Sequence, residues 1–160
     1  PDFEQRSIAD RATQLADGKP NSGDWDMNTV NETGAHKGRY LFTVFESDQS
    51  GVQRHDLWTG ETETVWHSPA PGDHVSFDPA FWTPWGTFIT GEESWETAAG
   101  GSTSPYGRLF ELKNPIEAPG ITGPLGPSSK ITPLSSFDVS PITRRTTSWS
   151  SPVLPAKPSH

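Results

Sequence analysis

Aromatic side chains crowd into one stretch of this chain: 13 of its 17 Phe, Trp and Tyr residues lie between Tyr40 and Leu112. A fold needs buried apolar surface, and Leu, Ile, Val and Phe together number only 29 of 160 residues. That is close to the proportion below which charged chains stay unfolded. Each buried ring removes on the order of 150–250 Å² from water, so any core must be small and built around rings. Residues 113–160 have the opposite character, with 9 of the 16 Pro and 14 Ser or Thr. Such a segment cannot bury enough apolar surface to offset the entropy of ordering. The expected organisation is a short helix and loop over 1–39, a folded β region over 40–119, and an irregular Pro/Ser/Thr-rich tail over 120–160.

Charge follows the same partition. The whole chain carries a formal −8 and a pI near 5.0, which argues against nucleic acid or an anionic membrane surface as partner. Residues 1–112 hold 18 acidic and 7 basic side chains, whereas residues 113–160 hold 2 and 5. The chain has no Cys, which excludes disulfides, zinc–cysteine sites, iron–sulfur clusters and a thiol nucleophile. No apolar run is long enough to span a bilayer and no charged-then-apolar leader is present. The sequence opens on Pro1 rather than Met, so a processed or partial protein is expected.

Local patterns then place the elements. Ser7 and Asp10 resemble a capping box ahead of Ile8, Ala12 and Leu15 at helical spacing, with Gly18 and Pro20 as the stop. Residues 20–39 read as a polar loop, including the glycosylation sequon Asn31-Glu32-Thr33. Tyr40–Glu46 is a run of β-branched and aromatic residues ending at a turn, Ser47–Gly51. Val52–Trp58 and Thr62–His67 follow, joined through Gly60, which can take the positive φ of a tight turn. These three runs predict an antiparallel meander. Further strands are expected at His74–Phe77, Thr87–Thr90 and Arg108–Leu112, with Thr83–Gly86 reversing the chain through Pro84 and Gly86. The fold class is all-β, and the spacing of strands and turns suits a β-propeller blade of about 40–50 residues. Too little chain is present to close a ring, so the expectation is antiparallel meander strands of an incomplete propeller with irregular termini.

The candidate chemistry lies where one of these strands ends. Glu92 and Glu93 follow Thr87–Thr90, and carboxylates in a loop suit hard cations such as Ca²⁺, which take six to eight oxygens. Neighbouring strand residues point to opposite faces, so the two chelate together only if Gly91 permits a bulge or the strand has ended. A solvated acidic turn is the competing reading. Glu46 and Asp78, also at strand ends, are reserve ligands. His55, His67 and His74 lack paired metal-ligand spacing and read as packing or strand-surface residues. Trp82, Trp85 and Trp95 offer either core or, if exposed, a stacking platform for carbohydrate.

The run Trp82-Thr83-Pro84-Trp85-Gly86-Thr87-Phe88-Ile89-Thr90-Gly91-Glu92-Glu93 and the later Tyr106-Gly107-Arg108-Leu109-Phe110-Glu111-Leu112 resemble the PhoX family of bacterial secreted alkaline phosphatases and their uncharacterised relatives. Arg54-His55-Asp56-Leu57-Trp58-Thr59-Gly60-Glu61-Thr62 also fits that family's blade pattern. The likeness covers roughly residues 25–119. It implies a β-propeller whose central cavity holds calcium and iron and hydrolyses small phosphomonoesters, in a secreted or periplasmic protein, with Glu92 and Glu93 as metal ligands. Gly91 stands where those phosphatases have a Cys, which removes a thiolate ligand and argues against iron. The missing blades imply that this chain alone lacks a complete active site. A small carbohydrate-binding module and a non-functional truncated product are the alternatives.

Overall fold

The computed structural model describes residues 3–93, 107–121 and 140–141. Its elements in chain order are α1 (Arg11–Ala16), β1 (Trp25–Val30), β2 (Tyr40–Phe45), β3 (Gly51–Asp56), β4 (Thr62–His67), β5 (Phe77–Trp82), β6 (Phe88–Glu92), β7 (Leu109–Leu112) and β8 (Ser140–Pro141). The described residues are all-β apart from one short helix. Two four-stranded sheets form, ordered β1-β2-β3-β4 and β5-β6-β7-β8. Every neighbouring pair is antiparallel, and neither sheet closes on itself.

The expected meander over residues 40–67 is present as β2, β3 and β4. Gly60 has φ +81° and its N–H donates to Asp56 O at 2.8 Å, closing the turn between β3 and β4. Gly86, with φ +91°, closes the expected reversal by donating to Thr83 O at 3.1 Å. Three local readings need correction. The loop expected over 20–39 contains β1, which pairs with β2 along the sheet edge. Its residues alternate poorly because half of them are exposed and none is buried, and its extended shape comes from β2 rather than from its own propensity. The helix starts later than a Ser7 cap implies. Asp10 is the N-cap, its carboxylate accepting from Thr13 N at 2.8 Å, while the Ser7 hydroxyl donates to Ala9 O. Lastly, β5 runs Phe77–Trp82 rather than His74–Phe77 and so includes Pro79. Pro has no N–H to give a ladder, but β5 is an edge strand and its register with β6 shifts between Phe77 and Ala80.

The sheets join through rings. Phe42, Val44, Val52 and Val65 of the first sheet form one buried cluster with Phe77, Trp82, Phe88, Phe110 and Leu112 of the second and with Ala118. Phe42 stacks on Trp82 with centroids 5.5 Å apart and packs equally close to Phe88. Trp66 stacks on Phe77 at 5.3 Å. Arg54 ties residues 115–118 across this joint, its Nη1 donating to Pro115 O at 3.1 Å, to Ala118 O at 2.9 Å and to Ile116 O. Ile121 N completes the strap by donating to Thr64 O at 2.8 Å. Most of the 120–160 tail, and the 94–106 segment with Trp95, lie outside the described residues.

Candidate functional site

One end of the two-sheet body gathers the acidic side chains. β2 ends there at Phe45 and leads into Glu46; β6 ends at Glu92 and leads into Glu93; β1 and β5 begin there and carry Asp26 and Asp78. The loops bind the sheets together at this end. Ser76 N donates to Ser47 O at 2.8 Å, Ser50 N to His74 O at 3.0 Å, Phe77 N to the Ser50 hydroxyl at 3.1 Å, and Glu93 N to Ser76 O at 2.9 Å.

Glu92 and Glu93 take separate roles, as side-chain alternation along a strand requires. The Glu92 side chain has 0% exposure and accepts from Arg108 Nε at 2.9 Å and Nη2 at 2.6 Å. The N–H groups of Arg108 and Val75 lie farther off, at 3.3 and 3.4 Å. Burial pushes its pKa up, but the Arg108 hydrogen bonds and charge outweigh that and hold it below the ordinary glutamate value. Both oxygens are therefore committed, and a cation reaching Glu92 would have to displace a bidentate arginine.

Glu93 faces the carboxylates instead. It hydrogen-bonds Glu46, whose pKa is raised first by burial and then by the charges of Asp26, Glu93 and Asp78. Asp26 is raised mainly by a hydrogen bond with Asp78, with burial and the Asp78 charge adding to it. The result is two carboxyl–carboxyl pairs, Asp26–Asp78 and Glu46–Glu93, within electrostatic reach of each other. Among the described residues no three Asp, Glu, His or Cys side chains already converge on a point that would hold a metal ion. Carboxylate oxygens are the donor type a hard cation takes, and Asp26, Glu46, Asp78 and Glu93 together carry eight. The set does not fit thiolate-ligated iron, because the chain has no cysteine.

Glu46 and Asp78, reserves in the sequence reading, thus come together with Glu93. Asp26 lies on β1, where the sequence predicts loop, so no strand-end signal points to it. The histidines serve packing. His55 Nδ1 lies 2.5 Å from the Thr62 hydroxyl, His74 sits edge-on to Trp66, and His67 lies against Phe45. Burial lowers the pKa of all three. Trp82 and Trp85 do not share a platform: Trp82 is core and donates its Nε1 to the Thr33 hydroxyl at 2.9 Å, whereas Trp85 is 69% exposed, and Trp95 lies outside the described residues. The expectation of Trp85 as core therefore fails, because its position in a solvent-facing turn leaves it bonded to Glu111 at the sheet surface. The sequon is closed in the folded state. Asn31 is fully buried, its Nδ2 donating to His36 O at 2.6 Å and its Oδ1 accepting from Tyr40 N at 2.8 Å. Among the described residues no helix is long and apolar enough to cross a membrane. Comparison with protein-family models, with characterised proteins and with solved structures finds no match.

Proposed function

We propose that this chain is part of a metal-dependent, PhoX-like phosphomonoester hydrolase, and that Asp26, Glu46, Asp78 and Glu93 supply carboxylate oxygens to a Ca²⁺ site. The observation that carries the reading is that the strand ends bearing Asp26, Glu46, Asp78 and Glu93 meet where the Ser47–Ser50 and His74–Phe77 segments tie the two sheets together. The two consecutive four-stranded meanders, packed by their aromatic faces, support reading them as successive propeller blades with this acidic end opening on the central cavity. Glu93 remains a ligand in this reading. Glu92 acts behind it, holding Arg108 and the end of β6 in place.

In such an enzyme a bound divalent ion stabilises charge on the transferring phosphoryl group and orients the attacking oxygen. This chain's residues would hold the ion and keep the cavity floor rigid. The other blades would supply the remaining ligands, so the chain by itself binds Ca²⁺ without turning over phosphate esters. The protein is read as exported, following the family it resembles.

The test is a Ca²⁺ titration by calorimetry, alongside thermal melts followed by near-ultraviolet circular dichroism. Wild type should bind Ca²⁺ and melt at a higher temperature in its presence. The Glu93→Gln/Asp78→Asn variant should lose both effects while remaining folded without Ca²⁺, because removing charge from a repelling cluster does not weaken the apo fold. Equal Ca²⁺ binding by variant and wild type, or none by wild type, overturns the assignment.

A further inference from the structure

A second site lies at the far end of the first sheet's strands. A cleft of about 460 Å³ opens there between the N-terminal segment and the turn joining β3 to β4, with Asp10, Gln14, Asp17, Lys19, Glu61 and Thr62 in its wall. Its size falls within the range of small-molecule sites. The wall is anionic. Lys19 is neutralised, its Nζ lying 2.8 Å from Glu63 Oε1 and 2.8 Å from Thr62 O. Asp17 and Glu61 are exposed, and neither is ion-paired among the described residues.

Gln14 is the unusual member, because it is buried, at 5% exposure, and half-satisfied. Its Oε1 accepts from Asn21 Nδ2 and from Gln53 Nε2. Those two amides are oriented from outside: Gln53 Oε1 accepts from Trp25 Nε1 at 3.0 Å, and Asn21 Oδ1 from Gly23 N at 2.9 Å. Flipping Gln14 would set its nitrogen against two amide nitrogens, so the chain of donors fixes it as drawn. Its Nε2 is left buried with no hydrogen-bond partner. An unpaired buried donor costs stability that an acceptor delivered from the cleft would recover.

We propose that this cleft binds a small molecule combining a protonated amine with a hydroxyl oxygen, of the amino sugar or amino alcohol class. The ammonium meets Asp17 and Glu61, and a slight parting of the wall lets the hydroxyl oxygen accept from Gln14 Nε2. This site is separate from the carboxyl pairs and stands whether or not they bind Ca²⁺.

The experiment titrates the isotopically labelled full chain with glucosamine, and with glucose as the uncharged control, following side-chain amide resonances by NMR. Glucosamine at millimolar concentration should move the Gln14 amide signals saturably, and glucose should not. Asp17→Asn/Glu61→Gln, two surface changes outside the Gln14 network, should weaken glucosamine binding about five- to tenfold, as expected for two partly exposed ion pairs. Absence of any shift at Gln14, meaning that water alone serves the donor, overturns the proposal. So does an equal response to glucose, or a double variant that binds as wild type does.

Discussion

Replacing Arg108 with Met should reverse the pH dependence that Glu92 contributes to stability. In the wild type the Glu92 side chain is wholly buried while Arg108 is 43% exposed, so the carboxylate depends on the arginine far more than the reverse. Burial is the strongest single influence on Glu92 and raises its pKa; the Arg108 hydrogen bonds and charge bring it below the ordinary value of 4.5. Without them only the N–H bonds at 3.3 and 3.4 Å oppose burial, and the pKa moves above that value instead. Met keeps an apolar stem near the Phe110 ring, whose centroid lies 5.4 Å from the guanidinium carbon, while the bond from Arg108 Nη2 to Asp73 O at 2.6 Å is lost as well and adds a part that does not vary with pH.

The sign follows from linkage. A depressed pKa in the folded state gives stability that is complete above the unfolded value and is lost as pH falls through the folded one. A raised pKa does the opposite: the ionised group penalises the fold at neutral pH, and stability returns as pH falls. Breaking a buried pair costs about 3–5 kcal/mol, and the exposure of Arg108 lets solvent screen part of this, so about 2–3 kcal/mol is expected near neutrality. For a unit of this size that corresponds to a midpoint lowered by about 10–20 °C. Urea unfolding across about pH 4 to 7 reads both effects, and the difference between Arg108→Met and wild type should shrink as pH falls. Glu92→Gln in the Arg108→Met background should remove that pH-dependent difference. A constant difference across the range would refute the argument that Arg108 is what keeps Glu92 ionised.

Two further outcomes test the core and the strap. Phe42→Ala removes a fully buried ring lying 5.5 Å from both Trp82 and Phe88, and should cost about 3–5 kcal/mol in chemical denaturation. Phe81→Ala, at a ring 57% exposed, should stay within about 0.5 kcal/mol, and similar losses at the two positions would contradict the joint described between the sheets. Arg54→Met strips the carbonyls of Pro115, Ile116 and Ala118 of their shared donor, and should cost about 2–3 kcal/mol. Hydrogen exchange should locate that loss, with the Ala118 N–H, bonded to Asn114 O at 3.0 Å, losing more protection than the amides of β3.

The parts of the fold legible in the sequence were those whose signal is local. β2 and β4 are rich in β-branched and aromatic residues, β3 lies between two marked turns, and Gly60 sits where the turn between β3 and β4 demands φ +81°. β1 carries no such signal, since Trp25-Asp26-Met27-Asn28-Thr29-Val30 is held extended by its partner strand. Losing β1 meant losing Asp26. Glu46, Asp78 and Glu93 could each be picked out as a carboxyl group at a strand end, yet nothing local says that ends from different sheets share one corner. The separation of Glu92 from Glu93 was legible from strand alternation. Which of them meets the arginine was not, because that depends on the β6–β7 register, where Gly91 faces Leu109 and Glu92 N reaches Arg108 O at 2.9 Å.

The aromatic residues carry a subtler lesson in how the core divides. Composition implied that rings must replace aliphatics, but Phe and Trp are not equivalent there. Phe42, Phe45, Phe77, Phe88 and Phe110 are buried, and they have no polar atom to satisfy. Trp must place an N–H. Trp82 reaches the Thr33 hydroxyl, Trp85 the Glu111 carboxylate and Trp25 the Gln53 amide. Each of these indole N–H groups is thereby satisfied, whether the ring is core, as Trp82 is, or exposed, as Trp85 is. Trp25, by orienting Gln53, leaves the Gln14 donor facing no acceptor. A Trp25→Phe change should therefore free Gln53 to turn, let Gln14 find a partner inside the network, and abolish the preference of the cleft for a ligand oxygen, which the same glucosamine titration would register as a lost shift at Gln14.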